Sequence, residues 1–123
     1  MKSKGDYCES LFMSKCIQNG YVVSKPFSQN SRYDFVIDDN YSLKRVQVKY
    51  TDYVRPSDNQ CHVRIEYTKQ EIDWFAIHMN KINCWFVLPI EVVEGMKQFS
   101  VKVNKKSKYD IFKNNFAFLR HGF

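Results

Sequence analysis

Long hydrophobic runs are absent from this sequence of 123 residues. A transmembrane helix requires a stretch of about eighteen apolar residues, and a signal peptide requires a charged start followed by a short apolar segment. The chain has neither feature. We therefore expect a protein that is not secreted, has no membrane partner and works inside the cell, in the cytoplasm or nucleoid of its host.

Closely spaced cysteine pairs are also absent. None of the four cysteines forms a C-x-x-C motif, and Cys8 and Cys16 would lie about 12 Å apart along a helix, too far for a disulfide. A zinc site made of Cys61, Cys84 and the histidines between them lacks the usual ligand spacing. We expect reduced and mostly buried thiols.

The composition excludes a disordered chain. Hydrophobic residues make up 44% of the sequence and aromatic residues 16%, which is enough for one core in a single domain covering residues 1–123. The 19 Lys and Arg residues outnumber the 13 Asp and Glu residues, so the formal net charge is +6. This imbalance favours a polyanionic partner such as nucleic acid.

A hairpin is predicted at residues 33–50. Residues 33–38 and 44–50 alternate as strands, with a polar turn between them, and Gln47 and Lys49 share one face about 6.5 to 7 Å apart. Pairing of the two strands would bring Asp34 close to both, within reach of a divalent metal and a water. The hairpin is therefore a candidate phosphodiesterase site. The alternative is an ordinary amphipathic hairpin whose Gln and Lys face solvent.

A helix is predicted from about Asp6 or Tyr7 to Asn19. Asp6 can cap it, Glu9 stands at the capping-box position, and Gly20 follows the last periodic residue. Glu9 also falls among the apolar residues of the helix. Two interpretations stay open: Glu9 completes the capping box, or the helix packs on the hairpin and holds Glu9 at the metal.

The rest of the chain predicts more strands and a closing helix, and hence an α/β fold with a mixed sheet flanked by helices. A short helix or turn follows Pro89. A helix at residues 109–120 would place Phe112, Phe116 and Leu119 on one face. Further strands are predicted at residues 21–25, 61–67, 74–79, 84–88 and 99–103.

Several short segments occur in an order and spacing that are typical of one nuclease family. They are Lys4, Gly5, Glu9, Pro26, Asn30 and residues 32–34, 46–49, 73–77 and 86–89. Over residues 2–95 the chain resembles the PD-(D/E)XK nuclease superfamily, and within it the small homing endonucleases of group I introns, whose last motif reads Gln-x-Lys. The resemblance implies the restriction-endonuclease-like α/β fold.

The resemblance also implies roles for four residues. Asp34 would be the principal metal ligand, Glu9 a second acidic ligand, Gln47 a neutral oxygen in place of the second motif acid, and Lys49 the catalytic lysine. The chain departs from the motif in having Tyr33, not Pro, before the aspartate. With only two carboxylates, one Mg²⁺ is expected, with Mn²⁺ as an alternative ion.

Double-stranded DNA is the expected partner. Cutting both strands with one site per subunit implies a homo-oligomer, a dimer or tetramer, whose interface could include Trp85, Phe118 or Phe123. The residues expected to contact DNA are Lys25, Asn30, Ser31, Arg32, Tyr53, Arg55 and Gln60.

Two other functions remain open at this point. One is a nuclease of the same fold that resolves Holliday junctions or acts in repair, and so reads branched shape instead of sequence. The other is a DNA-binding module without catalysis. The presence of Glu9, Asp34, Gln47 and Lys49 together argues against the second.

Overall fold

The structure is a computed structural model, and it describes residues 4–121 apart from the side chain of His121. The elements are α1 (Lys4–Gln18), β1 (Val22–Ser24), β2 (Phe35–Asp38), β3 (Leu43–Thr51), β4 (Gln60–Arg64), β5 (Trp74–Met79), β6 (Cys84–Pro89), α2 (Ile90–Val93), β7 (Gln98–Lys102), a 3₁₀ helix (Asp110–Phe112) and α3 (Phe118–His121).

Five strands form a mixed sheet in the order β1-β2-β3-β5-β6. All neighbours are antiparallel except β3 and β5, which are parallel. The β2–β3 hairpin turns at Asn40, whose φ of 75° is left-handed, and the Asp39 carboxylate accepts the N–H groups of Tyr41 and Ser42. Short polar side chains favour this geometry, which confirms the predicted turn.

The sheet is covered differently on its two faces. On one face α1 buries Cys8, Phe12 and Cys16 against Phe35 and other sheet residues. On the other face a two-stranded ribbon of β4 and β7 packs, with α2, over a second apolar cluster. The α1 face and the ribbon face are the two cores of the molecule, and the hairpin lies between them.

Most predicted strands are confirmed, within a few residues at each end. The predicted strand at 61–67 is shorter, since it ends at Arg64, and its pairing with β7 was not predicted. The helix is already present at Lys4, so Asp6 lies in its first turn and is not its N-cap. The capping-box interpretation of Glu9 is therefore wrong.

The predicted helix at 109–120 is also wrong. Asn114 has a φ of 55°, which interrupts a right-handed helix, and its N–H and Oδ1 bond the Trp85 carbonyl and N–H at 2.7 and 2.8 Å. The segment crosses the edge of the sheet at β6. Phe112 is consequently buried on the ribbon face, whereas Phe116 and Leu119 are buried on the α1 face.

Three smaller expectations concern the cysteines, the aromatic residues expected at an interface and the absence of a membrane-spanning helix. All four cysteines are free and buried, as predicted. Trp85 is not an interface residue, because it is buried in the α1 face between Phe12 and Phe116. Phe118 is partly buried against both cores, and Phe123 lies outside the described residues. Among residues 4–121, no helix is both long enough and apolar enough to cross a bilayer.

Candidate active site

Asp34 lies where β2 begins and β3 continues. Its backbone N–H donates to the Val46 carbonyl at 2.9 Å, and its Oδ2 accepts the Val48 N–H at 2.8 Å. β3 has nine residues and β2 only four, so β3 extends past its partner. The Asp34 carboxylate thus takes the place of a strand carbonyl and is fixed to the backbone of β3 by one oxygen.

Gln47 and Lys49 flank the Val48 amide that holds Asp34. Alternation along β3 gives them one face, as predicted. Gln47 is only 8% exposed, which contradicts the alternative in which it faces solvent. Its Nε2 makes one long contact of 3.5 Å to the Val48 carbonyl. The Lys49 ammonium lies 5.8 Å from the centre of the Tyr67 ring.

Helix α1 brings Glu9 to the same place. The helix packs on β1 and β3, and Glu9 Oε1 accepts a hydrogen bond from the Lys25 ammonium at 2.9 Å. That ammonium also lies 5.1 Å from the centre of the Phe35 ring. The partner of Glu9 is therefore a lysine sixteen residues away and not the amide of Asp6.

The four predicted catalytic residues line one open recess of about 440 Å³. Two carboxylates, one amide and one ammonium thus meet at the junction of α1 and the hairpin. The recess is lined by Gly5, Cys8, Glu9, Asp34, Gln47, Val48, Lys49 and Tyr50.

The surroundings of Asp34 are unfavourable to its ionised form. Burial raises the pKa of the Asp34 carboxyl above its ordinary value, and the Glu9 carboxylate raises that pKa further. The Val48 N–H, Lys25 and Lys49 lower the pKa but do not offset burial. A cation placed between the two carboxylates would relieve this cost.

The donor set fits a hard divalent cation. Among residues 4–121, no three His, Cys, Asp or Glu side chains are grouped as metal ligands, so Glu9 and Asp34 are the two acidic donors. Mg²⁺ commonly takes one or two protein carboxylates and keeps several waters. Asp34 Oδ1 and Gln47 Oε1 accept no hydrogen bond from the described residues, so both oxygens are available as ligands.

Four of the predicted DNA contacts lie on the loop that leads to Asp34. Lys25, Ser31 and Asp34 line a second recess of about 240 Å³, and Asn30 and Arg32 line the groove beside it. Arg32 is held by Glu71, at 2.7 Å. These residues border the candidate site.

Tyr53, Arg55 and Gln60 are not brought to the site. Tyr53 and Arg55 lie between β3 and β4, and Gln60 is the first residue of β4. None of the three lines a recess that contains Asp34. Arg55 is bonded to Asp58 at 2.6 Å and to Gln60 at 3.1 Å, so these side chains organise the start of the ribbon.

A polar chain beneath α1 was not predicted. Lys4 bonds Asp52 at 2.8 Å, Asp52 accepts from Asn80 at 2.6 Å, and the Asn80 amide oxygen contacts both the His78 ring and Cys8. This chain attaches the start of α1 to the ends of β3 and β5, next to Glu9. No local pattern reveals it, because its contacts join residues 28 to 72 positions apart, His78–Asn80 excepted.

Comparison with known proteins identifies a family model that covers most of the chain. The family model described as PD-(D/E)XK endonuclease matches residues 1–117. No curated protein matches the sequence significantly.

Two solved structures have a similar fold. The bacterial homing endonuclease I-Ssp6803I aligns with a TM-score of 0.80 and 19% identity, over 98% of this chain and 93% of its own. The Holliday junction resolvase Hjc of the archaeal hyperthermophile Archaeoglobus fulgidus aligns with a TM-score of 0.65 and 14% identity, over 98% of each chain. At these identities the likeness shows the fold, a mixed five-stranded sheet with flanking helices, and it confirms the predicted restriction-endonuclease-like architecture.

Proposed function

Because the chain belongs to the PD-(D/E)XK endonuclease family, we propose that it cuts double-stranded DNA at a specific site by metal-dependent phosphodiester hydrolysis. The homing type of activity is favoured by the likeness to a bacterial homing endonuclease over nearly the full length of both chains. The formal net charge of +6 suits a polyanionic substrate.

One observation carries the proposal: Asp34 is a partly buried carboxylate with only one hydrogen-bonded oxygen, in a recess shared with Glu9, Gln47 and Lys49. A carboxylate that serves only the fold is usually satisfied by donors or by a cation. Asp34 instead keeps one oxygen turned to no protein donor among the described residues, which suits a ligand from outside.

We infer a task for each side chain of the recess. Asp34, Glu9 and Gln47 would hold the cation, Mg²⁺ or Mn²⁺. A bound cation would act as a Lewis acid on the scissile phosphate. Lys49 stabilises negative charge on the phosphate or on the attacking oxygen through its ammonium. Gln47 carries no charge and cannot act as a base, so its role would be to position the cation through its amide oxygen.

Lys25 links the cation site to the DNA. Its ammonium neutralises Glu9 in the structure. With Glu9 engaged by a cation, Lys25 would be free to contact the phosphates beside the recess. Lys25 and Arg32 then fix the duplex by charge, while Asn30 and Ser31 contribute hydrogen bonds.

The test is cleavage of a linear duplex that carries the DNA flanking the gene, with Mg²⁺, with Mn²⁺ and with EDTA. Asp34→Asn should be inactive, and Asp38→Asn, at the other end of the same strand, should cut like the wild type. Uncut duplex in every metal would reject the linear-duplex activity. Equal cutting by Asp34→Asn and the wild type would reject the site.

Holliday-junction resolution is a second candidate, supported by the likeness to an archaeal resolvase over 98% of both chains. The same assay with a four-way junction built from the duplex sequence separates the two functions. A preference for the junction regardless of its sequence would favour the resolvase.

Both functions cut two strands with one recess per chain, so we propose a dimer or tetramer. Light scattering of the free protein measures this directly, and a monomer that stays monomeric on DNA would contradict it.

A further inference from the structure

Phe27 is exposed in a way that sets it apart from the other phenylalanines. Its relative exposure is 105%, whereas every other Phe within residues 4–121 is buried or partly buried. A fully exposed benzyl group gains nothing from burial in the free protein. Phe27 therefore does not contribute to a core as the other phenylalanines do.

The position of Phe27 is the rim of the candidate site. Phe27 lines the recess of about 240 Å³ that also contains Lys25, Ser31 and Asp34. Pro26 precedes it and restricts the backbone. Two side-chain contacts shape the rest of the loop, Asn30 N–H to Ser28 Oγ at 3.1 Å and Tyr33 N–H to Ser31 Oγ at 3.3 Å.

The loop that carries Phe27 is basic. The segment from Lys25 to Arg32 contains a cation at each end and no acidic residue. Glu9 and Glu71, which pair with these cations, belong to other elements. An aromatic ring flanked by cations and polar side chains matches the platforms on which proteins stack nucleic-acid bases.

We propose that Phe27 stacks on a nucleobase next to the phosphate that is cut at the recess of Asp34, unstacking that base from its neighbour. The inference rests on the proposed nuclease function and adds a contact to it. Aromatic and apolar wedges open base steps in this way and deform the duplex at the protein. Stacking depends on the face of the base, so Phe27 contributes affinity and positioning and not sequence readout.

Fluorescence provides a direct test, because the two native tryptophans, Trp74 and Trp85, are both buried. Phe27→Trp introduces an exposed indole at the rim. It is combined with Asp34→Asn so that the DNA stays intact, and it is titrated with a linear duplex and a four-way junction of the same sequence. The matched control is Tyr41→Trp in the same background, since Tyr41 is exposed on the β2–β3 turn, and the four residues of β2, a strand length of about 13 Å, separate that turn from Asp34.

Stacking predicts that DNA quenches the indole at position 27 and protects it from acrylamide, whereas the indole at position 41 keeps its emission. Equal behaviour of the two indoles while DNA binds would overturn the inference. If neither indole variant binds DNA, the Asp34→Asn parent is tested alone. Binding by the parent would then show that an indole at position 27 does not stack on DNA, and this would also overturn the inference.

Activity gives an independent readout. Phe27→Ala should weaken DNA binding about 5- to 150-fold and slow cleavage, Phe27→Tyr should restore both, and Tyr41→Ala should change neither. Unchanged binding and cleavage in Phe27→Ala would overturn the stacking contact and leave the nuclease function intact. If the wild type itself cuts neither probe, the proposed function fails instead. A lower oligomeric mass for Phe27→Ala in the absence of DNA would show that Phe27 contacts a second copy, against the proposal.

Discussion

Asp34 and Asp39 lie at opposite ends of the same strand, and their surroundings differ in every respect that matters to a carboxylate. Asp39 is 3% exposed, accepts two backbone N–H groups and pairs with the Lys44 ammonium at 2.9 Å. The hydrogen bond from Lys44 is the main reason why the pKa of Asp39 is held far below its usual range.

Asp34 is partly buried but receives fewer hydrogen bonds than Asp39 and has no paired cation among the described residues. It has one N–H donor, and neither Lys25 nor Lys49 forms an ion pair with it. Its pKa is raised, mainly by burial, where that of Asp39 is lowered. A buried carboxylate completed by its own chain therefore serves the fold, whereas one left incomplete at a recess is available for an external cation.

Replacing the lysine near each of the two carboxylates should have the largest effects. Lys49→Met removes the lysine ammonium from the recess. This variant should lower the cleavage rate by about 10²- to 10³-fold, with little change in the melting temperature. Single-turnover cleavage and thermal unfolding measure the two effects. A cleavage rate within a few-fold of the wild type would show that Lys49 has no part in the chemistry.

Lys44→Met is the matched change at the turn. Lys44 is 7% exposed, so its loss leaves the buried Asp39 carboxylate without a counter-ion. The denaturant midpoint should fall much further than for Lys49→Met, because an unpaired buried charge is costly. Cleavage per folded molecule should persist. A stable Lys44→Met protein that does not cut DNA would reverse the assigned roles.

The pH dependence of stability should have opposite signs at the two sites. The ionised Asp34 opposes folding, and this penalty grows as the pH rises through its raised pKa; Asp34→Asn should therefore stabilise the protein at neutral pH and make little difference in acid. Ionised Asp39 supports folding, and this support is lost only as the pH falls toward its lowered pKa; Asp39→Asn should destabilise the protein at neutral pH. Denaturant titrations from pH 3 to 7 compare the two. A change of the same sign in the free energy of unfolding for both variants at neutral pH would contradict the difference between the two sites.

The smallest effect is expected from Gln47→Glu. A third carboxylate in the recess should strengthen binding of a divalent cation by roughly tenfold, because affinity for hard cations rises with ligand charge. Titration calorimetry with Mg²⁺ and Mn²⁺ measures this. Asn40→Asp, which adds the same charge at the exposed turn, is the control and should leave metal affinity unchanged.

The parts of the fold that local chemistry determines could be predicted from the sequence. The turn at Asn40 and the alternation of β3 depend on neighbouring residues, and the proximity of Asp34 to Gln47 and Lys49 follows from pairing across that turn. The placement of Glu9 needed the docking of α1 as well. The sequence alone therefore leaves its two interpretations open, and the structure excludes only the capping box, because α1 begins before Asp6 and Glu9 bonds Lys25.

The parts that failed depend on contacts between distant segments. The spacing of Phe112, Phe116 and Leu119 is helical, but the bonds of Asn114 to Trp85 outweigh it and divide these residues between two cores. The ribbon likewise pairs residues 34 to 42 positions apart, and neither strand alone indicates its partner.

The crossing of the chain at β6 has a consequence for the order of folding. Phe112 completes the ribbon face, and Phe116 and Leu119 complete the α1 face, so the segment of residues 110–119 closes both cores at once. A folding intermediate in which that segment is not yet docked can contain the hairpin and the mixed sheet but leaves apolar surface open on each side of the sheet. Docking of the segment would then be a late step that covers both faces together.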